Sequence, residues 1–294
     1  MSGAFSPDSA PVRLDRDGYC VVRHAIPPGV IRGIDAMLDA DFSATPFCEG
    51  DFFGEQTKRF GRLLTRCPAT RAIVMHKLAF PLAESLLLPA CDRIALNLTQ
   101  AIEIHPGALA QIPHRDQDLW PGPKDGRQYQ VNIMWPLTPF TRENGATRFW
   151  PASHLVEEPT VHDEDDAVYA ECGPGDMLVW LGGTLHGAGA NRSEAPRRGI
   201  VVSYCLGWLK PFELQWLVYP PEVARAFDPE LAALVGYAQH RPNLGNVEGR
   251  CPSELLGGAR LDHVAAADAL LPEQAAGLAT YVASQRAQDA GAED

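Results

Sequence analysis

Alternation over Ile94-Ala-Leu-Asn-Leu-Thr-Gln-Ala-Ile-Glu-Ile104 restricts this chain more than any other feature. Positions 94, 96, 98, 102 and 104 are apolar, and the odd positions include Asn97, Thr99 and Glu103. Period two is the signature of a strand with unlike faces. Gln128-Tyr-Gln-Val-Asn-Ile-Met-Trp-Pro-Leu137 alternates as well, and Asp176–Trp180 and Gly199–Trp208 read as further strands. Turn signals lie between them: Pro121-Gly-Pro, Glu143-Asn-Gly and Gly173-Pro-Gly-Asp176. Successive strands with turns between them predict an antiparallel sandwich or barrel.

Helical patterns bracket this β region. Gly18–Arg23 reads as a strand; Pro27-Pro28 then opens a helix with Val30, Ile34, Met37 and Leu38 at helical spacing. Residues 43–62 carry Phe47, Phe52, Phe53 and Phe60 without a clear period, the character of a loop laid over a site or of a packed surface loop. One or two Leu- and Ala-rich helices are expected over 69–88. Pro229–Val235 and Pro272–Arg286 are expected to be helical, the latter with Leu278, Tyr281 and Val282 on one side. The expected plan is a loose arm over 1–12 and a single domain over 13–294. Within it, helical support covers about 27–90, a β core about 93–210 and C-terminal helices about 220–287.

Composition excludes some functions. Net charge is 25 − 37 = −12 with no Lys/Arg run, which argues against a nucleic-acid partner. No apolar run reaches the length of a membrane span, and Met1-Ser-Gly-Ala-Phe-Ser-Pro-Asp8 has neither a basic start nor an apolar core. The seven cysteines (20, 48, 67, 91, 172, 205, 251) include no CxxC pair and suit free thiols in a reducing cytoplasm.

The chemistry concentrates in Gln111-Ile-Pro-His-Arg-Asp-Gln-Asp118. His114 and Asp116 stand two apart, so in extended backbone they share a face and offer one metal a nitrogen and an oxygen. A third ligand is available 72 residues later in His186, amid glycines that permit close backbone approach. Two His and one carboxylate with open positions suit iron(II) that handles oxygen. Pro196-Arg-Arg198 follows, and an arginine there can grip a carboxylate in two-pronged fashion. A lone His is more often a core residue than a ligand; the combination carries the reading.

Four segments together resemble the phytanoyl-CoA dioxygenase family of iron(II)/2-oxoglutarate oxygenases. They are Gln111-x-x-His114-x-Asp116, Glu143–Thr147 through Pro151-Ala-Ser-His154, His186–Asn191 and Pro196-Arg-Arg198. Asp17-Gly18-Tyr19 fits the family's opening strand. Leu206-Gly-Trp-Leu-Lys210 with Gln215 resembles the branch acting on terpenoids and alkaloids. The resemblance spans about residues 13–256. It implies a double-stranded β-helix, a cupin-like jelly roll that is mainly β with flanking helices. It makes His114, Asp116 and His186 the iron ligands, and Arg197 the partner of the 2-oxoglutarate C5 carboxylate with Arg198 as fallback. Thr147 and Gln111 match positions that help hold the cosubstrate, although Thr147 could instead cap a turn and Gln111 satisfy backbone groups. Asn132, facing with Gln130 and Met134, is a candidate pocket residue. His154 and His105 read as structural, and Asp118 is set aside in favour of the His-x-Asp spacing. Ala152 stands where the family usually has Gly.

The implied reaction takes iron(II), 2-oxoglutarate and O2, with ascorbate as reductant in vitro, and decarboxylates the cosubstrate to succinate. It hydroxylates, desaturates or rearranges a hydrophobic small molecule, a secondary metabolite. Asp116 favours oxygenation, since related halogenases lack the carboxylate. Trp120, Trp135, Phe149 and Trp208 stand near site strands and are more often core than substrate-facing. Arg62, Arg66 and Arg71 are the sole basic cluster that could meet a CoA phosphate. A homodimer is expected by analogy. A non-catalytic metal- or ligand-binding β-helix and a zinc hydrolase are the alternatives, and both leave the arginine unexplained.

Overall fold

The structure is a computed structural model that describes residues 9–156 and 163–291. The chain forms two compact units, Met1–Val218 and Tyr219–Asp294.

In the first unit, α1 (Ala10–Asp17) precedes β1 (Tyr19–Val22). Residues 1–8 of the expected arm lie outside the described residues. Residues 10–12 are helical rather than loose, because proline near the helix start presets its first turn and Leu14 is fully buried. Gly18 ends the helix at φ +80°, its N–H bonding the Leu14 carbonyl at 2.9 Å. Helix α2 (Pro28–Ala44) opens at the expected proline but turns a different face inward. Ile31, Ile34, Leu38 and Phe42 are buried, whereas Val30 and Met37 are exposed. Both sets satisfy helical spacing; the set holding Phe42 buries more apolar surface. After β2 (Thr57–Phe60) come the short helices α3 (Leu63–Arg66), α4 (Arg71–Val74) and α5 (Ala79–Leu87).

The remaining strands are β3 (Ile94–Ile104), β4 (Gln130–Pro136), β5 (Thr147–Phe149), β6 (Val168–Tyr169), β7 (Met177–Leu181), β8 (His186–Ala188) and β9 (Arg197–Leu206), followed by α6 (Gln215–Val218). Six form an antiparallel sheet in the order β1-β7-β4-β9-β3-β2, and three form a second sheet, β6-β5-β8. The fold is a mainly β jelly roll with flanking helices.

The large sheet is buried on both faces, which explains why β4 and β9 are near-continuously buried. Val131, Ile133, Trp135 and Tyr204 lie on the helix-bearing face; the Tyr204 hydroxyl donates to the Val74 carbonyl at 2.5 Å. The alternate residues Gln130, Asn132 and Met134 of β4, with Arg197 and Val201 of β9, line a cavity between the sheets. The stripe read over 94–104 is not one stripe. A bulge between Leu96 and Leu98 breaks the β3–β9 register, so Asn97 and Leu98 both line the cavity. From there Gln100, Ile102 and Ile104 continue on that side. Gly199 is required by packing: a Cβ there would stand 2.7 Å from Met134 Sδ and 2.8 Å from Phe140. No single helix among the described residues is long and apolar enough to cross a membrane.

The second unit contains α7 (Pro221–Ala224), α8 (Pro229–Leu234), α9 (Ser253–Leu256) and α10 (Pro272–Gly291). Leu278 and Tyr281 of α10 are exposed, so the apolar side expected there is not a buried stripe.

Candidate active site

His114 and His186 come from segments far apart in sequence that are fastened backbone to backbone. The His114 N–H donates to the His186 carbonyl at 2.9 Å, and the His186 N–H returns the bond at 3.0 Å. Gly187 lets this happen, since a Cβ at that position would lie 3.0 Å from the Gln111 carbonyl. Asp116 follows an extended Arg115 and begins a short 3-10 turn, Asp116–Leu119, so the extended backbone expected here ends at the aspartate.

The three side chains converge. His114 Nε2 lies 3.5 Å from Asp116 Oδ1, and His186 Nε2 lies 3.3 Å from Asp116 Oδ2. One potential ligand atom from each lies within 4.8 Å of the others. Atoms bound to one ion at about 2.0–2.2 Å stand roughly 3 Å apart when adjacent, so a small contraction completes a metal site. Each imidazole directs Nδ1 to the carbonyl two residues back, His114 to Ile112 at 2.9 Å and His186 to Thr184 at 3.0 Å. That fixes the tautomer with Nε2 free to bind metal.

Electrostatics agree with that state at Asp116 and His186, while at His114 they favour the protonated form when no metal is bound. Burial pushes Asp116 upward, but the imidazoles of His186 and His114 and the Trp180 N–H outweigh it and hold the carboxyl at about 2. Burial lowers His186 to about 4, keeping it neutral. For His114, burial also pulls downward, but the hydrogen bond and charge of Asp116 prevail and raise it. Asp116 Oδ2 further accepts from Asn132 Nδ2 at 2.8 Å and from Trp180 Nε1 at 3.2 Å.

The cavity holds about 370 Å³, the size range of a small-molecule site. Arg197 enters it from β9 and is 3 % exposed. Its guanidinium lies over Phe140 at 4.1 Å, and neither Nε nor Nη1 has a hydrogen-bond partner among the described residues. Burial lowers its pKa to about 9. Arg198 points the other way and is spent on Glu103 (2.5 Å) and Asp39 (2.9 Å). Thr147 lines the cavity. Gln111 lines it too, but its amide is held by backbone, accepting from Ala188 N–H at 3.3 Å and donating to the Phe52 carbonyl at 3.2 Å. Asp118 lines the cavity without joining the cluster of three. His154 bonds the Asp15 carbonyl at 3.0 Å and His105 bonds Glu103 at 2.6 Å, both structural contacts.

The aromatic lining differs from the sequence-based set. Phe52, Phe53, Trp180 and Phe212 line the cavity, and Phe52 stands edge-on to His114 at 5.1 Å. Trp135 is fully buried on the opposite sheet face against His76. Phe149 is also fully buried and stacks behind His186 at 5.8 Å. Trp120 and Trp208 bond the carbonyls of Lys210 and Ala90. Phe52 and Phe53 belong to the 43–62 segment, which has no clear period. Sequence reasoning missed Arg59, a cavity residue whose Nη1 donates to Gln100 at 3.2 Å and whose Nε has no partner among the described residues. Its strand, β2, has four residues, too few for a period to show. Arg62, Arg66 and Arg71 do not line the cavity.

The comparisons follow the same outline. The family model described as phytanoyl-CoA dioxygenase (PhyH) matches residues 14–199. Dioxygenase trt7 of Aspergillus terreus is 30% identical over 242 residues, covering 79% of this chain and 84% of that protein. Multifunctional dioxygenase prhA of Penicillium brasilianum is 29% identical over 258 residues, covering 79% and 83%. Among solved structures, the epimerase SnoN in complex with Fe3+, alpha ketoglutarate and nogalamycin RO superposes with a TM-score of 0.58. It is 21% identical, over 71% of this chain and 87% of that one. HygX from Streptomyces hygroscopicus, with nickel and 2-oxoglutarate bound, gives 0.56 at 12% identity over 69% and 88%. With its jelly roll, its His-Asp-His cluster and these relatives, the chain belongs to the phytanoyl-CoA dioxygenase family of iron(II)/2-oxoglutarate-dependent oxygenases.

Proposed function

We propose that this chain oxidises a hydrophobic small molecule with iron(II), O2 and 2-oxoglutarate, binding the metal through His114, Asp116 and His186. The observation that carries the reading is Arg197: a buried cation with unpartnered donors, in the same cavity as the three ligands. A guanidinium without a counter-ion is expensive to bury, and a carboxylate gripped by two N–H groups answers it. Arg197 holds the C5 carboxylate of 2-oxoglutarate; Arg198, already paired, does not serve. Arg59 gives the cavity a second, half-buried cation, which suits a dicarboxylate over a monoanion. Thr147 lends its hydroxyl to the cosubstrate, and Gln111 shapes that end of the cavity by tying Phe52 to β8. A zinc hydrolase would use neither arginine.

When bound, iron and cosubstrate supply the oxidising chemistry, with release of succinate and carbon dioxide. The chain does the rest. The imidazoles keep their Nδ1 protons on carbonyls, Asn132 and Trp180 orient Asp116, and Leu98, Ile102, Ile104 and Val201 wall the substrate against water. The cavity wall and the nogalamycin-bound neighbour support a tailoring step on a preformed secondary metabolite. Seven free cysteines support a cytoplasmic setting, and a homodimer remains part of the proposal.

Purified protein given iron(II), ascorbate and 2-oxoglutarate should form succinate above background, and His114→Ala should not. If the protein makes no succinate and shows no visible band on anaerobic addition of 2-oxoglutarate to its iron(II) form, the proposal is wrong.

A further inference from the structure

One buried acceptor, on a residue that lines the cavity, has no donor among the described residues, and its identity is fixed by its neighbours. Gln130 is 2 % exposed and lines the cavity beside Asn97 and Asn132. The ionised carboxylate of Asp116 only accepts, so Asn132 must give it Nδ2 and turn Oδ1 away. Gln130 therefore presents Nε2, donating to Asn132 Oδ1 at 2.7 Å and to Ser203 Oγ at 2.8 Å. At the other end the Phe212 backbone N–H donates to Asn97 Oδ1 at 2.7 Å, leaving Asn97 Nδ2 to meet Ser203 Oγ at 3.1 Å. Partners of fixed polarity thus lock both amides against flipping. Gln130 Oε1 is left over, shut from solvent and without a partner among the described residues. A buried carbonyl in that position is destabilising until a donor arrives.

We infer that Gln130 is a specificity residue: its Oε1 receives a hydrogen bond from a hydroxyl or N–H of the substrate. The substrate is then a hydrophobic molecule already carrying such a group, not a bare hydrocarbon and not one that offers only carbonyls there. Residues two apart on a strand face stand roughly 6.5–7 Å apart. The anchored group therefore sits one strand repeat from Asn132, which holds Asp116, and belongs to the part of the substrate presented to the metal. This rests on the oxygenase reading above and deepens it.

The test uses anaerobic protein loaded with iron(II) and 2-oxoglutarate. The probes are matched sets of a polycyclic terpenoid alcohol, its ketone and its deoxy parent, with binding read from the change each causes in the visible band. The alcohol should bind at least about tenfold tighter than either partner, the loss expected when a buried acceptor stays unmet. In Gln130→Leu the ratio should shrink to within about twofold, as expected once the acceptor itself is gone. Gln130→Met repeats the measurement should the leucine variant fail to fold. Wild-type protein that binds alcohol, ketone and deoxy compound alike, or a preference that survives both substitutions, overturns the inference. Absence of the band with 2-oxoglutarate alone overturns the cosubstrate reading and this inference with it.

Discussion

Replacing Arg197 by Met separates a functional cation from a structural one, because the two predict opposite signs. Burial brings this guanidinium from 12.5 to about 9, which corresponds to roughly 5 kcal/mol of disfavoured charge. The Phe140 ring at 4.1 Å offsets part of that, about 1–2 kcal/mol. Met fills similar volume without charge, so the protein free of metal and cosubstrate should gain on the order of 1–3 kcal/mol. Its melting temperature should rise by a few degrees. Binding of 2-oxoglutarate should suffer, since two charge-assisted hydrogen bonds at about 1.5 kcal/mol or more apiece amount to a loss of about 100-fold or greater. Thermal melts of the ligand-free protein, with anaerobic 2-oxoglutarate titrations of the iron(II) form, measure both. A melting temperature lowered by several degrees with affinity for 2-oxoglutarate within threefold of wild type would refute the assignment and make Arg197 a core residue.

Arg198→Met should do the reverse. It strands Glu103, 3 % exposed in its side chain, with His105 and a more distant Lys58, so thermal melts should show a loss of about 2–4 kcal/mol while 2-oxoglutarate affinity changes little. Iron(II) binds neutral imidazole, and His114 is raised by Asp116. Affinity measured by metal titration should therefore begin to fall above the ordinary imidazole value of about 6.5 as pH is lowered, and flat affinity down to pH 5.5 would contradict this. The metal-free linkage has its own sign. His114, raised in the folded state, contributes stability below about 6.5 that is lost as pH rises, whereas Asp116, held at about 2, contributes stability above about 4 that is lost on acidification. Ala152 holds φ +61°, so Ala152→Gly should raise stability by about 0.5–1 kcal/mol in a denaturant melt; a decrease would mean the turn is not strained.

The parts of the fold that the sequence announced are those governed by local period. Strands β3, β4, β7 and β9 alternate or run apolar for five residues or more, and the structure places them within a few residues of expectation. Strands β5, β6 and β8 have two or three residues, too short for any period, and were visible just as the turn around Asn144 and the glycines after His186. His114 and Asp116 were legible because His-x-Asp keeps both groups within one turn of backbone, and His186 because it stands amid glycines just beyond a strand. The Asn97 bulge was not legible: it depends on a side chain 106 positions away in sequence, Ser203, and on the Phe212 N–H. Arg59 escaped for the same reason, since its role follows from where β2 docks against β3 and from no pattern of its own. Trp135 stands near the site in sequence yet lies in the core, as expected of most such aromatics, because strand parity, and not proximity in sequence, decides which face a side chain joins.

The two imidazoles are each oriented by a carbonyl two residues upstream, inside their own short segments, and those segments are joined to each other by paired backbone bonds. The apolar wall formed by Leu98, Ile102, Ile104 and Val201 takes no share in that fastening. Such a division lets the oxidising centre and the substrate chamber diverge on separate schedules. Substitutions in the wall can admit a new skeleton, or present a different carbon of the old one, while the metal geometry is inherited intact. Lineages built on this plan are expected to change products through a few cavity positions long before they lose the reaction itself.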